Sequence, residues 1–75
     1  MFNAFPDQRV VERLREIYPA GTRVVLEKME DPYSTLQPGE CGKVVYVDDC
    51  AGVHIQWNQG STLAAIFGVD VIRKL

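Results

Sequence analysis

The sequence predicts a mainly β domain (α+β by element count), namely a small five-stranded antiparallel barrel with one N-terminal amphipathic helix. Three observations lead to this prediction. One early segment repeats its apolar residues at helical spacing, and five later segments are rich in β-branched and aromatic residues. Most of the connections between those segments are short, as antiparallel neighbours require. We expect a single domain over residues 1–75, with the helix at 7–18 and the barrel at 22–75.

The helical segment reads "PDQRVVERLREIYPAG". Asp7 is a suitable N-cap, and Pro19 and Gly21 favour an end to the helix. The apolar residues recur every three or four positions and form one stripe: Val10, Val11, Leu14, Ile17 and Tyr18. About three turns of helix are too short to be stable alone in water, so we expect the stripe to dock on the barrel.

Five segments with strand character follow: "TRVVLEKM", "GKVVYVDD", "VHIQWN", "STLAAIF" and "VIRKL". One connection, residues 29–42, is much longer than the others, and its Pro38-Gly39 pair is typical of a type II turn. Asn58 to Gly60 is a hairpin signal, with glycine available for a positive φ. Five short strands, with no residues left for a second layer, favour a small barrel.

Composition excludes several classes of protein. Eight basic and ten acidic residues give a net charge of −2, which supplies no strong attraction to nucleic acid or to an anionic membrane. The apolar runs are too short to span a bilayer. The first ten residues lack the features of a secretory signal, so we expect a cytoplasmic protein with Cys41 and Cys50 as free thiols, the alternative being a disulfide between them. With a single histidine we expect no zinc site of ordinary spacing, and we expect no cofactor.

Several short motifs occur together in this chain: Tyr-Pro-x-Gly-Thr from residue 18, Asp-Pro-Tyr from 31, Pro-Gly-x-x-Gly from 38, Val-Asp-Asp from 47 and Trp-x-x-Gly-Ser from 57. The pattern covers roughly residues 18–70. It resembles a family of small SH3-like barrel domains of unknown function found in bacteria, phages and mobile elements. The resemblance implies an SH3-like fold and a bacterial or mobile-element origin. It brings no catalytic residues with it.

The chain departs from the family pattern in four respects. Phe67 stands where the family usually has proline, and Tyr46 stands near a usual glycine. Gly52 falls one position later than the glycine of the pattern, which indicates a different turn there. Cys41 and Cys50 are not part of the pattern. The first departure predicts that Phe67 is exposed and special to this chain.

Only one nucleophile and base are close together in the sequence, Cys50 and His54, with Asp48 or Asp49 available to orient the imidazole. A barrel of this size offers no deep cleft from which water is excluded, so we expect no enzyme. The same two aspartates, with Glu30 and Asp31, are also candidate oxygen ligands for a hard cation. The spacing of a calcium loop is absent, and an Asx turn at Asp48 or Asp49 is the favoured interpretation.

The leading functional hypothesis is a non-enzymatic interaction module that contacts a protein through the 30–37 loop and adjacent strands. SH3-like barrels commonly bind partners through aromatic residues beside their long first loop, often recognising extended proline-rich segments. The candidate contact residues are Tyr33, Trp57, Tyr46, Asp31 and Phe67. Trp57 shares a strand face with Val53 and Ile55, which favours a core position. For Tyr33, the sequence favours equally a ring that packs down and a ring that is presented.

Two further alternatives stay open. The second hypothesis is a nucleic-acid-associated accessory barrel, although the basic residues of the strands have acidic neighbours. Phe2 and Phe5 precede the helix, and we expect them either to close the helix onto the barrel or to form a homodimer contact.

Overall fold

One helix and five strands make up the part of the chain that the computed structural model describes, residues 7–75. The expectation for Phe2 and Phe5 lies outside these residues. The elements are α1 (Gln8–Ile17), β1 (Arg23–Lys28), β2 (Cys41–Val47), β3 (Gly52–Trp57), β4 (Ala65–Ile66) and β5 (Val71–Lys74).

Helix α1 begins and ends close to the predicted residues. The carboxylate of Asp7 accepts a hydrogen bond from the Arg9 N–H at 2.8 Å, as an N-cap does. At the other end the Tyr18 N–H donates to the Leu14 carbonyl at 2.8 Å. Val11 and Leu14 are buried, so the apolar stripe does dock on the sheet.

The five strands form one antiparallel sheet in the order β4-β3-β2-β1-β5, which confirms the mainly β prediction. β1 pairs with β2 through Arg23 to Val25 and with β5 through Val24 to Lys28. The register shifts between Val44 and Tyr46, where β2 has one more residue than β3. Among the described residues, the ladders leave β4 and β5 at the two edges of the sheet.

The core lies between the helix and the sheet, and Trp57 is its largest fully buried side chain, with 1% exposed. Its indole N–H donates to the Leu63 carbonyl at 2.8 Å, so the polar atom of the ring is satisfied inside the core. Within residues 7–75, no helix has both the length and the hydropathy that a membrane span requires.

The fourth strand is shorter than predicted. The segment expected to form it, residues 61–67, contributes only Ala65 and Ile66 to the sheet. The Ser61 hydroxyl accepts a hydrogen bond from the Leu63 N–H at 3.2 Å, and the Ser61 carbonyl accepts one from the Trp57 N–H at 3.0 Å. These local bonds compete with the ladder, so the chain enters β4 late.

Candidate contact surface

The segment that we call the contact loop, residues 30–37, turns sharply at its tip. The Asp31 carbonyl accepts the Ser34 N–H at 3.2 Å, and the Asp31 carboxylate accepts the Tyr33 N–H at 2.9 Å. Pro32 occupies the second position of this turn, where its restricted φ is favourable. The turn leaves the Tyr33 side chain 92% exposed. Of the two alternatives left open by the sequence, the ring is therefore presented and not packed down.

Three contacts fasten the contact loop to the rest of the domain. Leu36 is buried at 5% exposure, and its N–H donates to the Ser34 hydroxyl at 3.0 Å. The Glu30 N–H donates to the Asp70 carboxylate at 2.8 Å. The Thr35 hydroxyl accepts a hydrogen bond from the Gln59 amide at 3.3 Å. The loop is thus held on both sides of its tip.

The turn that follows the contact loop matches the type II prediction. The Glu40 N–H donates to the Gln37 carbonyl at 3.1 Å, across Pro38 and Gly39. Gly39 has a φ of 96°, which is the region that this turn demands and that glycine adopts without strain. The Glu40 carboxylate also accepts the Gln37 N–H at 2.6 Å.

Tyr46 lies away from the contact loop, on the outer side of β2 and β3. The register shift turns Val45 and Tyr46 outward, and Tyr46 is 53% exposed. Its ring stacks on the imidazole of His54, with 4.2 Å between the ring centroids and 6° between the planes. The His54 Nε2 lies 2.6 Å from the Asp48 carboxylate. These three side chains form a surface cluster that the sequence did not predict as a unit.

Asp48 is also the acceptor at the centre of the β2–β3 turn. One carboxylate oxygen accepts the N–H groups of Cys50 and Gly52, each at 2.8 Å, which confirms the predicted Asx-type turn. Desolvation raises the pKa of this carboxyl. The hydrogen bonds from Gly52, His54 and Cys50, together with the charge of His54, outweigh that effect and lower the pKa below its usual value. Ala51, one position before Gly52, adopts a left-handed φ of 62°, a region that is uncommon for residues other than glycine.

The Cys50–His54 pair does not assemble into a nucleophile and base. Asp48 does hold the imidazole, as the catalytic reading required. The Cys50 side chain, however, is exposed, and no hydrogen bond joins its sulfur to His54 among the described residues. Cys41 and Cys50 are both free thiols in the structure, as expected. Within residues 7–75, no group of three or more potential metal ligands comes together.

Trp57 cannot contact a partner, because it is 1% exposed and bonded within the core. The structure thus confirms the core position favoured by its strand face and leaves Trp57 without an exposed surface among the predicted contact residues. The remaining candidates occupy three places. Asp31 and Tyr33 lie in the contact loop, Tyr46 lies on the outer side of β2, and Phe67 follows β4.

Phe67 belongs to an exposed apolar patch, which we call the β4–β5 apolar surface. Its members are Ile66, Phe67, Val69 and Val71, which are 40%, 56%, 48% and 45% exposed. Sequence reasoning predicted an exposed Phe67 but treated residues 68–70 only as a connection. The available signal was four apolar residues within six positions, three of which, Phe67, Val69 and Val71, alternate with Gly68 and Asp70 as in a strand.

Asp70 joins this surface to the contact loop. Its two carboxylate oxygens accept hydrogen bonds from the Glu30 N–H and the Ile66 N–H, each at 2.8 Å. A depression of about 360 Å³ beside them is lined by residues from both regions, including Asp31, Ile66 and Val69. On the other side, a groove of about 480 Å³ separates the β4–β5 apolar surface from helix α1. Loop, apolar surface and helix groove therefore follow one another along one side of the domain.

Comparison with known proteins identifies the family. The family described as "Domain of unknown function (DUF4314)" matches residues 7–75. The chain belongs to this family. No curated protein and no solved structure matches the chain. The family assignment covers the helix, all five strands and the contact loop, so each feature described above belongs to the matched region of this DUF4314 domain.

Proposed function

We propose that this DUF4314 domain is a non-enzymatic interaction module that binds a protein partner through the contact loop and the adjacent strands. The observation that carries the proposal is the exposure of the Tyr33 ring on a backbone that is held in place. Its ring is 92% exposed although the backbone on both sides is tied down by hydrogen bonds and by a buried leucine. A large side chain held out on a fixed backbone loses little entropy when a partner covers it.

We also propose that the sheet has the SH3-like barrel topology and that the domain is of bacterial or mobile-element origin. Two features support the barrel. β1 pairs with β2 through Arg23 to Val25 and continues beyond them in its pairing with β5, which extends to Lys28 with a register shift after Leu26. β4 and β5 lie at opposite edges of the sheet although only residues 67–70 separate them in sequence, so the sheet must curl to bring its edges together.

The favoured ligand is an extended peptide segment, since barrels of this class bind such segments beside aromatic side chains. The contact loop carries Glu30 and Asp31 and no basic residue. Nucleic acid would require unpaired basic groups near the aromatic ring to neutralise phosphates. The nearest lysine along the chain, Lys28, is in an ion pair with Glu30 at 2.9 Å, so the electrostatics favour a protein over a nucleic acid.

The test is to select binders from a random peptide library displayed on phage and to measure their affinity for the purified full chain by fluorescence anisotropy. We expect Tyr33→Ala to weaken the selected peptides by about 30-fold, the loss typical of a central aromatic contact. The free energy of unfolding should change by less than about 0.5 kcal/mol, because an exposed side chain contributes little to stability.

Tyr46→Ala is the matched control, because it removes a second exposed tyrosine outside the contact loop. Peptide binding should survive it. Peptides whose affinity is the same for the wild type and Tyr33→Ala would rule out the contact loop as the binding site. Binding of a generic oligonucleotide with a steep dependence on salt would instead support the nucleic-acid function.

A further inference from the structure

We propose that the β4–β5 apolar surface binds a second copy of this chain and forms a weak, symmetric dimer centred on Phe67. This surface is distinct from the tip of the contact loop. It leaves that tip free, so a dimer of this kind would present two copies of Tyr33.

The surface has the shape that self-association requires. A two-fold interface uses the same patch on both copies, so the patch must contain both a projection and a matching recess. Phe67 projects with 56% of its surface exposed. Phe67 also lines one part of the adjoining groove of about 480 Å³, together with apolar side chains from the helix and β5, among them Leu14, Ile17 and Ile72. The Phe67 ring of one copy can therefore enter the groove of the other.

The exposed area fits a weak dimer. Large aromatic side chains bury about 200 Å² and aliphatic ones about 100 Å² when fully covered. Applied to the exposed fractions of the four surface residues and to the half-buried lining, this gives about 300 Å² of apolar area per copy. Since about 60% of an interface is apolar, each copy would bury about 500 Å² of total surface. The two copies together would bury on the order of 1,000 Å², which is the lower limit for a specific contact.

The charges around the surface do not oppose a second copy. Lys28 is paired with Glu30 at 2.9 Å, and Arg13 lies 3.8 Å from Glu16. The Asp70 carboxylate is occupied by two backbone N–H groups of its own chain. The charged side chains around the surface are thus neutralised within each copy, so dimerisation would not place unpaired like charges against each other.

Sedimentation equilibrium of the purified full chain, from about 10 μM to about 1 mM, tests the proposal. We expect a monomer–dimer equilibrium with a dissociation constant on the order of 100 μM, as befits the smallest specific interfaces. Phe67→Ser and Val69→Lys should each raise that constant by at least about 10-fold, the first by removing the projection and the second by placing like charges near the two-fold axis.

Tyr33→Ser is the matched control, because it removes an exposed aromatic ring from the contact loop, outside the β4–β5 apolar surface, and it should leave the dimerisation constant unchanged. In the wild type, amide chemical shifts of residues 66–71 should move with concentration. A chain that stays monomeric up to about 1 mM overturns the proposal, as does a dimer that Phe67→Ser leaves intact. Because the peptide assay reads Tyr33 and this one reads Phe67, either proposal can fail without the other.

Discussion

Removing the Asp70 carboxylate should cost the domain a large share of its stability, although Asp70 is a polar, half-buried residue outside the core. Its two oxygens accept the Glu30 and Ile66 N–H groups at 2.8 Å. Hydrogen bonds to a charged acceptor contribute about 1.5–3 kcal/mol each when well shielded, and partial exposure at this site favours the low end. We therefore expect Asp70→Ala to lower the free energy of unfolding by about 2–3 kcal/mol.

That loss is large for this chain, since a domain of 75 residues is typically stable by about 4–11 kcal/mol. It corresponds to a fall in Tm of roughly 10–15 °C. Asp70→Asn keeps one acceptor oxygen and should lose about half as much. Urea unfolding can be followed by fluorescence, because the single tryptophan, Trp57, is buried in the native state.

Asp49→Ala provides the comparison. Asp49 is an aspartate whose contact is a surface ion pair with Arg15 at 3.0 Å, with 79% of its own side chain exposed. Such pairs contribute about 0–1 kcal/mol. The reasoning is refuted if Asp70→Ala destabilises the domain no more than Asp49→Ala does. Faster hydrogen exchange at the Glu30 and Ile66 amides in the Asp70 variants would locate the lost bonds directly.

Three further predictions concern the sheet and the helix. The pKa of Asp48 is lower in the folded state than in the unfolded state. Its carboxylate therefore stabilises the fold above the unfolded pKa of about 3.9, and this stabilisation is lost as the pH falls through the folded pKa. Below about pH 4, urea titrations should show that the wild type loses stability more steeply than Asp48→Asn. Gly42→Ala should cost about 3 kcal/mol by the same unfolding assay, because a Cβ would lie 2.6 Å from the Ile55 side chain and 2.8 Å from a backbone oxygen. Arg15→Met should lower Tm by about 4–8 °C in a calorimetric scan, because the guanidinium donates to the Val47 carbonyl at 3.1 Å and to a surface carboxylate.

The predictions for Arg15 and Gly42 have checks of their own. Arg13→Met removes a guanidinium whose ion pair is long and exposed, and it should shift Tm by less than about 2 °C. A Gly42→Ala variant as stable as the wild type would mean that β2 and β3 do not approach as closely as described.

The sequence predicted the elements whose conformation depends on residues close together in the chain. Helix α1 has a capping aspartate and a clear apolar period, and it was located to within one residue at each end. The turn at Pro38-Gly39 and the Asx turn at Asp48 follow from the conformational preferences of those residues. The burial of Trp57 follows from its strand face.

The features that the sequence did not predict depend on contacts between distant residues. Val44, Val45, Tyr46 and Val47 all favour a strand, so no polar residue indicates where the register shifts and Tyr46 turns outward. The β4–β5 apolar surface depends on which strands the tertiary structure leaves at the edges of the sheet, and the role of Asp70 depends on Glu30, which lies 40 positions away along the chain. Sequence spacing alone carries no information about either.

The attachment of the contact loop separates the residue that would meet a partner from the residues that hold the fold. The buried Leu36 within the loop, and Asp70 and Gln59 outside it, fasten the loop to the domain, whereas Tyr33 contributes almost no buried surface. The tip can therefore accept new side chains at position 33 without loss of a core contact. Under the proposed function, single substitutions at this position would change the binding preference of the domain while its stability stays nearly the same, which would also make recognition accessible to protein engineering.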